Sequence, residues 1–172
     1  MPYVDLDAID LRILKSLQED GRLTNNDLAE RVGLSPSPCL RRVRRLEQEG
    51  FIRTYRAVLD REAVGLGLTV FVEIKVERHN RENAQALQDA LRALPEVVSC
   101  HMVSGTADFI AEIVVANLKA YERLLTERLL TLPMIADIRS NFALTRVKSD
   151  AALPLTHLHR EAAPAGRREP DC

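Results

Sequence analysis

The sequence is poor in aromatic residues and contains no tryptophan. Phe, Tyr and Trp together make up 4% of the 172 residues, so few side chains are present on which the bases of a single-stranded nucleic acid could stack. No run of about eighteen apolar residues occurs, and we therefore expect no membrane-spanning helix and no membrane partner. The first residues carry acids instead of an apolar core, which predicts that no export signal is present.

The sequence also contains few cysteines and has almost no net charge. The three cysteines have no metal-ligand spacing, which favours a reducing, cytoplasmic compartment and predicts no metal site. The formal net charge is −1, so the chain as a whole does not indicate a nucleic-acid partner, and any basic surface must be local. With 46% hydrophobic residues over this length, the sequence is typical of a globular protein with one large domain or two small ones.

One basic helix is predicted near the N-terminus, between Ser35 and Gly50. Ser35 is expected to be its N-cap, with the hydroxyl accepting an N–H of the first turn, and Pro36 falls at the first helical position, where no N–H is needed. At about 100° per residue, one side of the helix is apolar and the opposite side is basic. The basic side consists of Ser37, Arg41, Arg44, Arg45 and Gln48, with Arg42 on its flank. Arginine suits phosphate and guanine edges, whereas a merely solvated face normally mixes the two signs of charge.

Two shorter helices are predicted before the basic helix. Asp7 and Asp10 start the first in capping-box spacing, and Thr24 and Asp27 start the second. Gly33 ends the second helix and leaves a tight turn. This order is the helix-turn-helix arrangement, in which the second helix of the motif enters the major groove of double-stranded DNA. The residues predicted to bind DNA are Asn25, Ser35, Ser37, Pro38, Arg41, Arg42, Arg44 and Arg45.

The basic helix is followed by a stretch over residues 51–59 that is expected to form a strand, or wing, packed on the three helices. Within residues 35–56 there are six arginines and two glutamates, a net charge of +4, which is the local charge expected of a phosphate-binding surface. We therefore predict a DNA-binding domain over residues 1–60, followed by a glycine-containing linker over residues 61–67.

A second domain with a different periodicity is predicted over residues 68–148. Alternating apolar and polar residues indicate half-buried strands, and two runs of helical period lie between them. The strands are predicted over residues 70–76, 97–103, 109–115 and 135–147. The order is βαββαβ, so the expected fold class is α+β, a winged helix-turn-helix followed by a ferredoxin-like domain. One sheet face would remain open and would need a partner. Residues 149–172 lose the periodicity and are predicted to be a C-terminal tail.

Three stretches carry a family resemblance. They are the helix-turn-helix region from Asp20 to Ile52, the motif His101-Met102-Val103-Ser104-Gly105 followed by Asp108-Phe109, and the ending Ala152-Leu153-Pro154-Leu155. On these residues the sequence resembles the Lrp/AsnC, or feast/famine, family of transcription regulators. The resemblance implies a ligand-sensing second domain, homodimers that form through the open sheets and assemble to tetramers or octamers, and small effectors, usually amino acids, that bind between dimers.

Carried onto this chain, the resemblance also implies a set of effector-binding residues. They are Met102, Ser104, Gly105, Thr106, Asp108, Leu118, Asn141, Phe142 and Ala143. Many family members carry an acid directly after the glycine, where this chain has Thr106. Turn chemistry alone also explains an aspartate at position 108, because its side chain can cap its own backbone. Both roles of Asp108 therefore remain open.

The predicted function is a sequence-specific DNA-binding transcriptional regulator that responds to an amino acid or a related metabolite, with no catalytic residue and no cofactor. The alternative is an enzyme, because siroheme decarboxylases resemble the same two-domain architecture. The intact caps and the one-sided arginine face of the third helix favour DNA binding. A ligand-binding assembly module without a direct role on DNA is a third possibility.

Overall fold

The computed structural model describes residues 6–77, 81–148 and 151–158, and the chain divides into two compact units. The first, here called the helical unit, contains the chain up to Val58 together with the residues from Asp150 onwards. The second, here called the sheet unit, runs from Leu59 to Ser149. The residues predicted as a linker therefore fold as part of the sheet unit, and the described part of the predicted tail belongs to the helical unit.

Three helices form the framework of the helical unit, namely α1 (Ala8–Glu19), α2 (Asn25–Val32) and α3 (Pro36–Gln48). The Asp7 carboxylate accepts the N–H groups of Ile9 and Asp10, and the Asp10 carboxylate accepts the N–H of Asp7. The predicted capping box of α1 is thus confirmed. Gly33 ends α2 in the left-handed region at φ 75°, which glycine adopts without steric cost. The apolar sides of the helices meet in a core of Ile13, Leu14, Leu28, Ala29, Val32, Cys39 and Leu46.

The start of α3 differs from the prediction in one respect. Ser35 is the N-cap residue, but its side chain makes no capping hydrogen bond. An N-cap hydroxyl normally accepts the N–H of the second or third helical residue, and here the third is Pro38, which has no N–H to donate. The expected hydroxyl cap was therefore wrong.

The segment that follows α3 is not a strand: residues 51–59 lie outside every strand of the described chain, so the strand predicted there was wrong. This unit offers the segment no neighbouring strand, and a ladder needs two strands. Its contacts are instead with α3. The N–H of Ile52 donates to the carbonyl of Leu46 at 3.2 Å, and the Tyr55 hydroxyl donates to the Glu47 carboxylate at 3.1 Å.

The sheet unit has the predicted βαββαβ order. Its elements are β1 (Leu68–Val76), α4 (Arg81–Arg92), β2 (Val97–Met102), β3 (Phe109–Val115), α5 (Leu118–Leu124), which continues as a π-helical turn over Leu125–Leu129, and β4 (Ile135–Phe142). The antiparallel sheet has the strand order β2-β3-β1-β4. The core of this unit includes Val70, Val72, Ile74, Leu87, Leu91, Phe109, Ile113, Tyr121 and Leu129. Alternate residues of β1, such as Phe71 and Lys75, are exposed, as the alternating pattern predicted.

The last strand is shorter than predicted. It ends at Phe142, whereas the sequence pattern extended it to residue 147. Its only neighbour is β1, which begins at Leu68, and the last contact of this pair is the hydrogen bond from the N–H of Ala143 to the carbonyl of Thr69 at 3.0 Å. Only one residue of β1, Leu68, lies beyond this point, and the apolar side chains of Leu144 and Val147 are exposed.

Candidate DNA-binding face and ligand cavity

The arginines of α3 divide into two pairs with different surroundings. Arg42 lies 2.6 Å from an Asp7 carboxylate oxygen and 2.9 Å from Asp10, and Arg45 lies 2.5 Å from the other oxygen of Asp10. The Asp10 side chain is only 1% exposed. Because a buried carboxylate needs compensating charge, Arg42 and Arg45 are ion-paired to α1, although their side chains stay 27% and 41% exposed.

The protonation of this cluster follows from its contacts. Burial raises the pKa of the Asp7 carboxyl, but the N–H of Asp10 and the Arg42 guanidinium outweigh it, so the pKa lies below its usual value. The hydrogen bonds to Asp7 and then Asp10 raise the pKa of the Arg42 guanidinium. Both shifts favour the charged forms, which keeps α1 and α3 joined by full charges near neutral pH.

The second pair, Arg41 and Arg44, is exposed and makes no ion pair with any described residue. Ser37, near the N-terminus of α3, is exposed on the same face of the helix. These three side chains form the free polar face of the predicted recognition helix, here called the reading face. If α3 lies in the major groove as the recognition helix of this motif does, the reading face is the surface that it presents to DNA.

The other predicted DNA-binding residues have structural contacts. Asn25 is half-buried, and its Nδ2 donates to the carbonyl of Pro36 at 2.9 Å, which ties the start of α2 to the start of α3. Pro38 is half-buried, whereas Ser35 is exposed with an uncommitted hydroxyl. Sequence reasoning missed the pairing of Asp7 and Asp10 with the arginines. The available signal was an acid inside the apolar run of α1, which requires a cationic partner.

A cavity of about 340 Å³ lies at the turn between β2 and β3. Its lining includes Gly105, Thr106 and Asp108 of the predicted effector set, which the structure brings together with charged residues of β1 and β4. The charged residues that sequence reasoning missed are Glu73, Lys75, Asp137 and Arg139. Gly105 has φ 132°, a conformation that side-chain-bearing residues rarely adopt, which explains the glycine at this turn.

Asp108 is a fixed part of this turn. Its carboxylate accepts the N–H of Val76 at 2.8 Å, and its own N–H donates to the carbonyl of Ile74 at 3.0 Å. The carbonyl of Asp108 accepts the N–H of Val103 at 2.9 Å, which closes the hairpin. The carboxylate therefore caps the end of β1 while it lines the cavity.

The remaining predicted effector residues do not line this cavity. Phe142 pairs with Val70, which lies three residues along β1 from the cavity residue Glu73, about 10 Å at 3.3 Å per residue. The Phe142 ring packs edge-on against Tyr121 with a centroid distance of 5.6 Å. The N–H of Ala143 donates to the carbonyl of Thr69, and the side-chain amide of Asn141 donates to the Glu73 carboxylate at 3.1 Å. The side chains of Met102, Ser104 and Leu118 are exposed. A single chain therefore does not gather the predicted set into one pocket.

Two absences bear on other classes of site. Within residues 6–77, 81–148 and 151–158, no group of three His, Cys, Asp or Glu side chains is arranged to hold a metal ion. His101 of β2 instead lies 3.1 Å from the hydroxyl of Ser99. In the same described ranges, no helix has the length and apolar character needed to cross a membrane.

Comparisons with known proteins agree with these two units. Residues 6–53 match the winged helix-turn-helix DNA-binding family, and residues 69–153 match the Lrp/AsnC ligand binding domain. The fold and its two parts therefore define a DNA-binding transcriptional regulator with a ligand-binding domain. The chain is 44% identical over 152 residues to the leucine-responsive regulatory protein of Escherichia coli K12, covering 88% of this chain and 93% of that protein. The chain belongs to the Lrp/AsnC family of transcriptional regulators.

Solved structures place the fold in the same family. A transcriptional regulator from Neisseria meningitidis, solved in complex with L-methionine, has a TM-score of 0.86 and 40% identity, covering 89% of this chain and 99% of that one. An AsnC family regulator from Agrobacterium tumefaciens has a TM-score of 0.83 and 37% identity, covering 88% and 98%. The alternative of a siroheme-decarboxylase-like enzyme finds no support among these relatives, which are transcriptional regulators.

Proposed function

We propose that the reading face of α3, formed by Ser37, Arg41 and Arg44, recognises an operator in double-stranded DNA. The observation that carries this proposal is that two of the four arginines of α3 are ion-paired to α1 and two are not. Asp7 and Asp10 neutralise Arg42 and Arg45, while Arg41 and Arg44 remain exposed on the helix that reaches base edges in this motif. Arginine forks bind guanine edges and phosphates. Arg53 and Arg56, which are exposed after α3, extend the positive surface.

Selection of bound sequences from a random DNA library tests this proposal. We expect the wild-type chain to enrich pseudo-palindromic sites whose half-sites lie about one helical turn, or a multiple of it, apart. The affinity for the enriched site should fall steeply with salt, because phosphate contacts release counterions. Enrichment of no common sequence, with equal affinity for all duplexes, would refute sequence-specific reading by this face.

We further propose that the cavity at Gly105 holds the charged end of an α-amino acid. Its lining carries both signs of charge, Lys75 and Arg139 beside Glu73, Asp108 and Asp137, which matches a carboxylate and an ammonium. The volume of about 340 Å³ lies at the small end of the usual range for ligand pockets. Because none of the apolar residues of the predicted set lines this cavity, we infer that the wall for the effector side chain comes from a second copy.

The relatives indicate which class of amino acid to expect as the effector. The Escherichia coli relative is named for leucine, and the Neisseria structure contains L-methionine. We therefore expect an amino acid with a flexible apolar side chain. Calorimetry against the twenty amino acids tests this expectation with the wild type and with Asp108→Asn, which keeps an oxygen acceptor for the Val76 N–H and removes the charge. Asp89→Asn, an exposed carboxylate of α4, is the matched control.

The expected result is binding of leucine or methionine to wild type and control, and binding at least tenfold weaker to Asp108→Asn. If Asp108→Asn binds as tightly as the wild type, then Asp108 serves only to close the turn. If no amino acid binds to the wild type, the proposed effector class is wrong.

The same arrangement requires more than one copy of the chain. Phe71 on the open sheet face is 42% exposed, and Leu144 and Val147 are almost fully exposed, whereas large apolar surfaces of monomers normally have partners. Dimers that assemble into tetramers or octamers would cover these residues and complete the effector site. Such a regulator works where chromosomal DNA is, so we place it in the cytoplasm. Light scattering that gives a monomer across the working concentration range would contradict this assembly.

A further inference from the structure

The chain returns to the helical unit after it has completed the sheet unit. Residues 151–158 belong to the helical unit, and their last part forms a short 3-10 helix over Thr156–Leu158. Leu155 is partly buried against the core of that unit. The sheet unit is therefore inserted between two parts of the helical unit, and the chain connects the units at both ends. Residues 151–158 are here called the return segment.

Two hydrogen bonds from one side chain hold the return segment on α1. The N–H of Leu153 donates to Oε1 of Gln18 at 2.7 Å, and Nε2 of Gln18 donates to the carbonyl of Leu153 at 3.4 Å. The carboxamide of Gln18 thus pairs with both polar groups of one backbone residue, as a neighbouring strand would. This contact joins residues that lie 135 positions apart in the sequence, so it exists only when the segment has returned.

The same helix carries the charges that hold the recognition helix. Asp10 lies eight residues before Gln18 on α1, about 12 Å away along the axis at 1.5 Å per residue. Its buried carboxylate binds Arg42 and Arg45 of α3. One rigid helix of twelve residues therefore contacts the return segment near its C-terminal end and α3 near its N-terminal end.

We propose that the return segment is a second connection through which the sheet unit influences α3, with Gln18 and Leu155 as positioning residues. This inference rests on the proposed function, since it explains how an effector bound in the sheet unit reaches the DNA-binding helix. The docking is modest, because it rests on the two hydrogen bonds of Gln18 and the packing of Leu155 against the core. Such a contact forms and releases at a small cost in free energy, as a two-state coupling element must.

Hydrogen–deuterium exchange with and without DNA tests this connection without any effector. Coupling between two sites is reciprocal, so operator DNA bound by α3 should alter the exchange of β4, the last strand before the return segment. In the full-length wild type with a selected operator duplex, we expect slower exchange in α3 and a change of about fivefold or more in β4, the low end of typical coupling. In Gln18→Ala, compared at equal DNA occupancy, α3 should remain protected while the change in β4 is lost.

Three further variants test whether the response of β4 depends on the contacts of the return segment. Leu155→Ala should reduce the response of β4 through lost packing. Gln18→Glu should keep part of it, because its carboxylate still accepts the N–H of Leu153. Gln85→Ala is the control, since it removes two hydrogen bonds to Asp89 on the surface of α4 and should leave both responses unchanged.

The possible outcomes separate this inference from the proposed function. If β4 of the wild type does not respond to bound DNA, or if Gln18→Ala retains the full response, the return segment carries no coupling and the inference is overturned. A purely structural role of Gln18 would lower the stability of the helical unit and leave the response of β4 intact at equal occupancy, which also overturns it. If the wild type protects no part of α3 on any duplex, the proposed function itself fails.

Discussion

Arg45 of α3 donates to the carboxylate of Asp10 of α1 over 2.5 Å, and the Asp10 side chain is almost completely excluded from solvent. Arg42 binds the other oxygen of the same carboxylate at 2.9 Å. The recognition helix is thus fixed to the rest of its unit by two of its own arginines. This relationship determines which arginines remain for DNA.

Removal of Asp10 should destabilise the helical unit. Asp10→Ala loses the hydrogen bonds to Arg42 and Arg45, and the two guanidinium groups, 27% and 41% exposed, regain only part of their hydration. We expect a loss of about 2–3 kcal/mol in the free energy of unfolding. The control is Asp89→Ala, which breaks the exposed pair with Arg92 and should cost less than about 1 kcal/mol. Urea denaturation of both variants measures the difference, and equal losses would show that Asp10 is not a structural anchor.

The two N-cap residues of the helix-turn-helix should respond differently to alanine. The Thr24 side chain accepts the N–H of Asp27, whereas the Ser35 side chain makes no cap hydrogen bond. We therefore expect Thr24→Ala to cost about 1 kcal/mol and Ser35→Ala less than about 0.5 kcal/mol. Thermal unfolding followed by circular dichroism tests this order. A larger loss for Ser35→Ala would mean that its hydroxyl caps the helix after all.

Much of the fold was predictable because its determinants are local. The capping box at Asp7 and Asp10, the left-handed stop at Gly33 and the alternation along β1 depend on residues within one turn or one strand. The missing hydroxyl cap at Ser35 is also readable from the sequence, since Pro38 occupies the third helical position and has no N–H. Local patterns therefore gave the elements and their approximate limits.

The candidate sites were less predictable because they depend on distant pairings. Helical periodicity placed Arg45 on the basic side of α3. Only the packing of α1 on α3 shows that Arg45 forms an ion pair with Asp10. The end of β4 depends on where β1 begins, and not on the apolar residues beyond Phe142. The separation of Phe142 from Gly105 likewise follows from the strand register, which the sequence pattern alone did not reveal.

The hydroxyl of Tyr55 should titrate well above the usual tyrosine value. Burial, and then the hydrogen bond and charge of Glu47, raise the pKa of Tyr55 to about 12. The folded chain therefore holds this proton between about pH 10, the usual tyrosine value, and pH 12, while the unfolded chain releases it. Since the folded state binds more protons in this window, the contribution of Tyr55 to stability is complete below pH 10 and is lost as the pH rises towards 12.

Tyrosinate absorbance after rapid pH jumps checks this titration. The difference between the wild type and Tyr55→Phe should give a midpoint near pH 12, and Glu47→Gln should lower it because the neighbouring negative charge is gone. A difference midpoint near pH 10 would show that Tyr55 is not held on α3 by Glu47.

The division of the α3 arginines is tested most directly by the salt dependence of operator affinity for Arg44→Ala and Arg42→Ala, measured by fluorescence anisotropy alongside urea denaturation. If Arg44 reads a base, Arg44→Ala should weaken operator binding by about 1–3 kcal/mol. If it contacts a phosphate, the slope of log affinity against log salt should shrink by about 0.9. In either case its free energy of unfolding should stay unchanged. Arg42→Ala should lower the free energy of unfolding and keep the wild-type slope. A stable Arg42→Ala whose salt slope falls as much as that of Arg44→Ala would contradict the account.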